Sequence, residues 1–468
     1  MKNYFTIFIF SCLFLVSACT GGHKKTSEMK DESKSTDEAT QVKIITLDPG
    51  HFHAALVQKS MYPEVSPIVH VYAPKGPDVE AYLKMVMGFN TRKEDPTIWE
   101  ENVYQGEDYL EKMIDDKAGN LVVISGNNAK KTEYIKKSVE AGLNVLADKP
   151  MVIDPKNFPE LEEAFKDAND RGVLLYDIMT ERYEITTILQ RELSRMPEVF
   201  GELQKGSVEN PAIAQESIHR FSKIVAGKPL IRPAWFFDVS QQGEGIVDVT
   251  THLVDMIQWE TFPEEIIRRE NVQIEKARHW TTDLSLAQFS KVTGLSKFPD
   301  YLGKFIDNGL LKVYSNGEIN YLINGISAKV SVIWNFNTPK GGDTHYSIMR
   351  GSLCNLIIRQ QEEQHFKPVL YIESTPGGDA DGFRKKLQEA INEKLAVKYP
   401  GIKLVEQSTD KWSVDIPEKY KVGHEAHFRQ VTEAFIKYLK EGKLPDWEVP
   451  NMITKYYITT KALEIARR

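Results

Sequence analysis

The clearest period in the chain lies at residues 121–151. Leu121–Ile124 is an unbroken apolar run, the expected mark of a parallel strand covered on both faces. A polar loop follows, then a segment of helical period closed by Ala141-Gly142, then a strand start at Asn144-Val145-Leu146-Ala147. Parallel neighbours need a crossover connection, so the stretch reads as a βαβ unit. Around it the same alternation recurs. Strands are predicted at 42–47, 68–73 and 173–177, and helices from 54, over 78–88, 109–116 and 157–171. Residues 90–102 read as irregular. The alternation predicts a doubly wound, Rossmann-like parallel sheet over 42–180.

After Glu181 the pattern changes. A helix is predicted over 183–196. Strands follow at 204–208, 215–221, 309–314, 318–323, 328–335, 345–349, 354–360 and 369–374, many alternating apolar with polar positions. That alternation predicts a large open mixed or antiparallel sheet with one face solvated or packed on a partner. Two helices, 425–441 and 452–467, close the chain. The fold class is therefore α/β: an N-terminal Rossmann-like domain (42–180) and a C-terminal α/β domain (181–468).

Composition narrows the function. The 468 residues are 41% hydrophobic and 27% charged, with net charge −7. Such a chain can bury a sizeable core, and the missing basic run argues against nucleic acid. The first 18 residues are not part of the fold. Lys2 precedes an apolar run that ends Val16-Ser17-Ala18-Cys19. That end resembles a bacterial lipobox, with cleavage before Cys19 and lipid on its thiol; a plain secretory peptide or an anchor helix is the alternative. Residues 19–41 read as a charged, disordered tether. The expected location is a lipid-anchored one in the periplasm or on a bacterial cell surface. Cys12 falls in the signal and Cys19 at the anchor, leaving Cys354 and no internal disulfide.

Two motifs carry candidate chemistry. Asp148-Lys149-Pro150 stands at the carboxyl end of a predicted strand, where open α/β sheets bind ligands. Gly243-Glu244-Gly245 leads into Asp248, His252 and Asp255, spaced i, i+4, i+7 on one helix face. An imidazole suits removal of a hydroxyl proton near neutral pH, and a lysine suits the developing alkoxide. The alternative reading of Asp248 and His252 is a solvated helix start. Together the two motifs resemble the glucose–fructose oxidoreductase / inositol dehydrogenase (Gfo/Idh/MocA) family, in particular lipoprotein oxidoreductases of Bacteroides-type sugar-degrading bacteria. The resemblance spans residues 42–468; relative to usual members, 281–307 and 377–417 look inserted.

The resemblance implies an NAD(P)-dependent oxidoreductase acting on a sugar or sugar derivative, with Lys149 and His252 catalytic and Asp248 supporting. It places NAD or NADP against Asp48, Gly50, His51, Phe52, Ser125, Asn127, Lys149 and Pro150. It places substrate against Arg232, Trp235, Asp248 and His252, although Trp235 suits a core position equally well. Asp343 and His345 are further candidates on polarity alone. Members often dimerise through the open sheet, so a homodimer is expected through Val330, Val332 and Trp334 or the opposite set, unless 281–307 caps that face.

The first turn departs from the family. Of the glycines in Gly-x-Gly-x-x-Gly only Gly50 stands, in Asp48-Pro49-Gly50-His51-Phe52-His53. No acidic residue ends the second strand; Lys75 there either meets a phosphate or is a solvated turn charge. A redox-neutral reaction with a bound, recycled cofactor would suit an exported chain. The second reading is a sugar-binding lipoprotein, or a glycoside hydrolase or lyase, with the dinucleotide site degraded. In it His51, His53 and His252 serve as acid and base or gather a metal. His424 and His427 stand three apart rather than in His-Glu-x-x-His, which argues against zinc there, and no metal ligand is assigned.

Overall fold

The computed structural model describes residues 41–225, 228–337, 342–376 and 380–468. The expected signal, Cys19 and nearly all of the tether lie outside the described residues. Among the described residues no helix is long and apolar enough to cross a membrane.

Six parallel strands form the first sheet in the order β3-β2-β1-β4-β5-β6. They are β1 (Ile44–Leu47), β2 (Ile68–Ala73), β3 (Glu100–Gln105), β4 (Leu121–Ile124), β5 (Asn144–Asp148) and β6 (Leu175–Ile178). β1 and β4 are wholly buried, as their apolar runs require. The chain order reverses between β1 and β4, which opens a crevice at their carboxyl ends. β3 replaces part of the segment expected to be irregular. It is an edge strand with only partly buried residues, so its sequence lacks the apolar signature of its neighbours. The helix expected from residue 54 is a single turn, His53–Leu56.

The second sheet has ten strands. Its path runs Val272–Leu284, Leu310–Ile323, Ile326–Asn335, Ile213–Arg220, Thr344–Arg350, Cys354–Gln360, Val369–Ser374, Lys411–Asp415 and Lys403–Ser408. Its pairs are antiparallel except Ile213–Arg220 with Ile326–Asn335. The two strands expected at 309–323 are one, and the expected strand at 204–208 forms only isolated bridges. Val272–Leu284 is an integral strand, so the apparent insertion at 281 starts inside the sheet. The rest of it supplies the helix Leu286–Thr293, whose Phe289 is fully buried beside Phe237.

Val330, Val332 and Trp334 are buried in this chain's own core. The helices Ile185–Ser194, Thr250–Thr261 and Glu448–Ala466 share that core. Of the opposite set, Lys329 and Ile333 are partly exposed and Ser331 is buried. Each apolar side chain so buried contributes about 1.5–3 kcal/mol. The helix His424–Glu441 returns to the parallel sheet instead. Phe428, Val431, Phe435 and Ile436, at helical spacing, join the core around β1–β6, and Phe435 stacks on Tyr176 at 5.6 Å. The last two helices thus bind the two sheets into one body and bring histidines to the crevice.

Candidate active site

The crevice is built by the loops after β1, β4 and β5. After β1, Asp48 turns left-handed (φ 43°), and its carboxylate accepts from Asn127 Nδ2 (2.8 Å) and Tyr134 Oη (2.7 Å). The amides of Gly50 and His51 both donate to the Ser125 carbonyl, at 3.1 and 3.3 Å. This contact needs a glycine at 126: its φ is +107°, and a Cβ there would lie 2.5 Å from Gly50 Cα.

After β5, Asp148 is buried. Its Oδ2 faces His53 Nδ1 (2.9 Å) and accepts from Ser125 Oγ (3.1 Å), while its carbonyl accepts from Lys131 Nζ (2.9 Å). Burial opposes ionisation of Asp148, but the His53 charge and hydrogen bond and Lys131 hold it well below the usual carboxylate range. Lys149 follows, with a cis bond to Pro150. Its Nζ donates to Asp248 Oδ1 at 2.6 Å, and Gln242 Nε2 donates to Asp248 Oδ2 at 2.9 Å. Burial works against the ammonium; Asp248 and Asp148 outweigh it and raise the pKa.

Asp248 and His252 reach the crevice from a turn and a helix, not from one helix face. The helix is Thr250–Thr261, so Asp248 precedes it. The turn is fixed by packing: a Cβ on Gly245 would lie 1.8 Å from the Ser315 carbonyl oxygen. Asp248 is committed to Lys149 and Gln242 rather than to His252. The His252 Nδ1 is buried and has no hydrogen-bond partner. Burial first, then the charges of Lys149 and His424, hold His252 well below its ordinary pKa, so the ring is neutral.

Asp255 is not in the site. It receives two hydrogen bonds from Arg182 (2.6 and 2.7 Å) and one from Lys455 (2.7 Å), all three residues being buried. Arg182 also bonds Glu448, and Lys455 pairs with Asp177 at 2.7 Å. This ion network ties β6, the turn after it, the helix of His252 and the last helix together. Arg232 is also elsewhere: its guanidinium donates to the carbonyls of Arg220 and Phe221 and lies over Phe236 at 4.6 Å. Trp235 does reach the crevice, lining a cavity of about 20 Å³ with His51, Asp148, Lys149, Gln242 and Asp248. Phe52 is half exposed and packs on His51 and His53, with ring centroids 4.5 and 4.4 Å away, and Lys75 is exposed.

His252 opens onto a cavity of about 180 Å³ lined also by Glu181, Glu184, Ser217, His219, Asp343, His345 and Gln360. A second cavity of about 360 Å³ shares Glu181, Glu184, Thr186 and Gln360 and adds Lys367, Lys421, His424 and His427. Asp343 and His345, expected on polarity alone, are thus in place. Sequence reasoning missed Glu181, Ser217 and His219, and weighed His424 only as half of an unfavoured zinc pair. The His219 ring sits between Ser217 Oγ (2.7 Å) and Asp343 Oδ2 (3.3 Å) and stacks on Trp334. Burial and Glu184 push the Glu181 carboxyl up to about 7. A larger hollow of about 620 Å³, bounded by Gly172–Leu175 and Gly442–Asp446, lies at the amino end of β6, away from this chemistry.

The buried neutral histidines make stability pH-dependent. Burial lowers His345 and His427 to about 4 each. Between pH 6.5 and 4 the unfolded chain binds protons that the folded chain does not, so stability falls as pH falls through that window. The slope for each group is at most about 1.4 kcal/mol per pH unit. Urea midpoints from pH 7.5 to 4.5 check this: they are expected to drop below pH 6.5, and a flat profile would contradict it.

A six-stranded parallel sheet carrying Lys149 after β5 is joined to a mixed-sheet half whose helix Thr250–Thr261 carries His252, near enough for the lysine charge to act on the imidazole. Residues 35–176 match the family described as "Oxidoreductase family, NAD-binding Rossmann fold", and residues 189–467 match "Putative oxidoreductase C terminal domain". The chain belongs to the Gfo/Idh/MocA oxidoreductases and is an NAD(P)-dependent oxidoreductase of that family. It is 57% identical to a Parabacteroides merdae protein described as a "putative oxidoreductase", with TM-score 0.90 over 92% of this chain and 98% of that one. A levoglucosan dehydrogenase in complex with NADH and levoglucosan has 14% identity and TM-score 0.57 over 91% and 98%. A 3-ketoreductase from Actinomadura kijaniata, in complex with NADP and TDP-benzene, has 13% identity and TM-score 0.53 over 89% and 96%. These two share the fold. No curated protein matches the chain.

The open end of the crevice carries polar and cationic side chains of the kind such a cofactor meets. Lys149, Pro150, Asn127 and Ser125 stand at the carboxyl ends of β4 and β5, and the His252 side chain lines a separate cavity. The diphosphate end departs from a glycine turn, because both first-loop amides are already bonded to Ser125 and the helix behind them is one turn long.

Proposed function

We propose that the protein interconverts a hydroxyl and a carbonyl on a sugar or sugar derivative held in the cavity beside His252. The observation that carries this reading is the pairing of a charged Lys149, fixed by Asp248, with a neutral His252 whose Nδ1 has no partner. When bound, the nicotinamide ring supplies the hydride acceptor or donor. His252 accepts the hydroxyl proton on its neutral imidazole, and the Lys149 ammonium stabilises the oxygen as negative charge develops on it. Asp248 and Gln242 orient the lysine. Ser217, His219, Asp343 and Glu181 supply hydrogen-bonding groups of the kind sugar hydroxyls require.

The crowded first loop favours a cofactor gripped at its nicotinamide end and retained through turnover. Denaturing the purified protein is expected to release nicotinamide nucleotide into the supernatant at close to one per chain. A supernatant free of it, with no thermal shift on adding NAD or NADP, would remove the cofactor from this reading. We propose further that Cys19 carries the lipid anchor. Cys19→Ala is expected to move the protein from the membrane fraction to the soluble fraction, and unchanged retention would contradict it.

A further inference from the structure

The first loop spends its residues on something other than a glycine turn. His51, His53 and Asp148 each present one ligand atom, and these atoms lie within 4.8 Å of one another. Asp148 Oδ2 is 2.9 Å from His53 Nδ1 and 3.7 Å from His51 Nδ1. The two rings meet edge to face with centroids 4.1 Å apart. Among the described residues this is the one such cluster of histidine, cysteine and carboxylate groups.

We propose that His51, His53 and Asp148 bind a divalent transition-metal ion of the zinc or manganese kind. Two imidazoles and one carboxylate are the ligand types such ions favour, and three protein ligands leave open positions. The cluster is already supported as a metal site would be. Ser125 Oγ and the Lys131 bond to the Asp148 carbonyl fix the carboxylate, and the Phe428 ring, 4.6 Å away, holds His53. Ligand atoms about 2 Å from a shared tetrahedral ion stand about 3.3 Å apart, so the ion replaces the His53–Asp148 hydrogen bond, opening that pair slightly, and draws His51 in. His51 sits on the exposed side of the loop, where that movement is easiest. The open side is also present. The cavity of about 20 Å³ beside His51 and Asp148 takes one water-sized oxygen ligand and is lined by polar groups, Lys149 and Asp248 among them. Lys131 and Lys149 balance Asp148 and Asp248, so a divalent ion leaves the centre positive and selects an anionic oxygen for that position. The ion supplies positive charge where the first-loop amides are bonded to Ser125 and cannot.

The test uses the purified protein after dialysis against a chelator. Zn²⁺, Mn²⁺ and Co²⁺ are titrated by calorimetry, with the visible absorption of Co²⁺ reporting its ligands. One equivalent is expected to bind, and thermal stability is expected to rise with the metal. His51→Gln and His53→Gln are each expected to weaken binding by tenfold or more, and His365→Gln to leave it unchanged. His51 is partly exposed, so His51→Gln decides the matter if His53→Gln misfolds. Absence of a saturable equivalent, or binding unaltered in His51→Gln, overturns the proposal. Nucleotide content does not enter these readouts, so the metal site and the redox reading fail or stand separately.

Discussion

Lys149→Ala and His252→Ala are each expected to lower kcat by two orders of magnitude or more, once a sugar substrate is in hand. Loss of a positioned acid–base or charge-stabilising group has about that effect. Lys149→Ala removes the charge facing the reacting oxygen and also leaves Asp248 buried with only Gln242. Asp248→Asn is therefore expected to reproduce part of the Lys149 defect, because it frees the ammonium from its fixed position. His252 adds a pH signature. Burial and the Lys149 charge keep its folded pKa well below 6.5, so the imidazole is deprotonated through the neutral range and into mild acid. The acidic limb of kcat/KM is expected well below pH 6.5. Near-normal turnover in both variants, or an acidic limb at 6.5 or above that persists in Glu181→Gln, would take His252 out of the role of base.

Lys455→Met is expected to destabilise the protein by about 3–5 kcal/mol, the scale for breaking a buried ion pair from one side. The Lys455 side chain is fully buried between Asp177 and Asp255, with Nζ 2.7 Å from each. Arg182 is the other cation of the network, and three carboxylates depend on the two. Without Lys455, Asp177 keeps only the Tyr456 hydroxyl at 2.8 Å as a partner, and its second oxygen has none even in the intact protein. Chemical denaturation with two probes, near-UV circular dichroism and tryptophan fluorescence, measures the loss. A midpoint within error of the parent would mean that the network contributes registry and little stability. Registry is its second role. Asp255 lies one helical turn past His252, so clamping Asp255 to β6 and the last helix sets where His252 stands relative to Lys149.

Much of this arrangement was legible in the chain. The apolar runs of β1, β4 and β5 and the helix between them carry their periodicity locally, and full burial on both faces leaves no other way to satisfy them. That placed Lys149 at a strand's carboxyl end, and the position held. Strands at Cys354–Gln360 and Val369–Ser374 were equally plain, because alternation over six or seven residues has a single reading. β3 was not, since an edge strand buries little and needs no apolar run.

The site partners were decided by tertiary structure. Asp248, His252 and Asp255 share a helical period, which promised one face and one task. The helix begins after Asp248, and two buried cations claimed Asp255. Periodicity fixes which residues can point together, whereas the location of Arg182 and Lys455 depends on how the final helix packs. Arg232 likewise lies near the expected pocket in sequence but is held by two backbone carbonyls that only the folded sheet brings to it. Gly50, His51 and His53 showed that the first turn was altered. What the alteration built was set by β5, whose Asp148 lies 95 residues beyond His53 and makes its 2.9 Å contact only once the parallel sheet has formed. Elements came from local period and burial; the chemistry came from long-range contacts that no window of sequence contains.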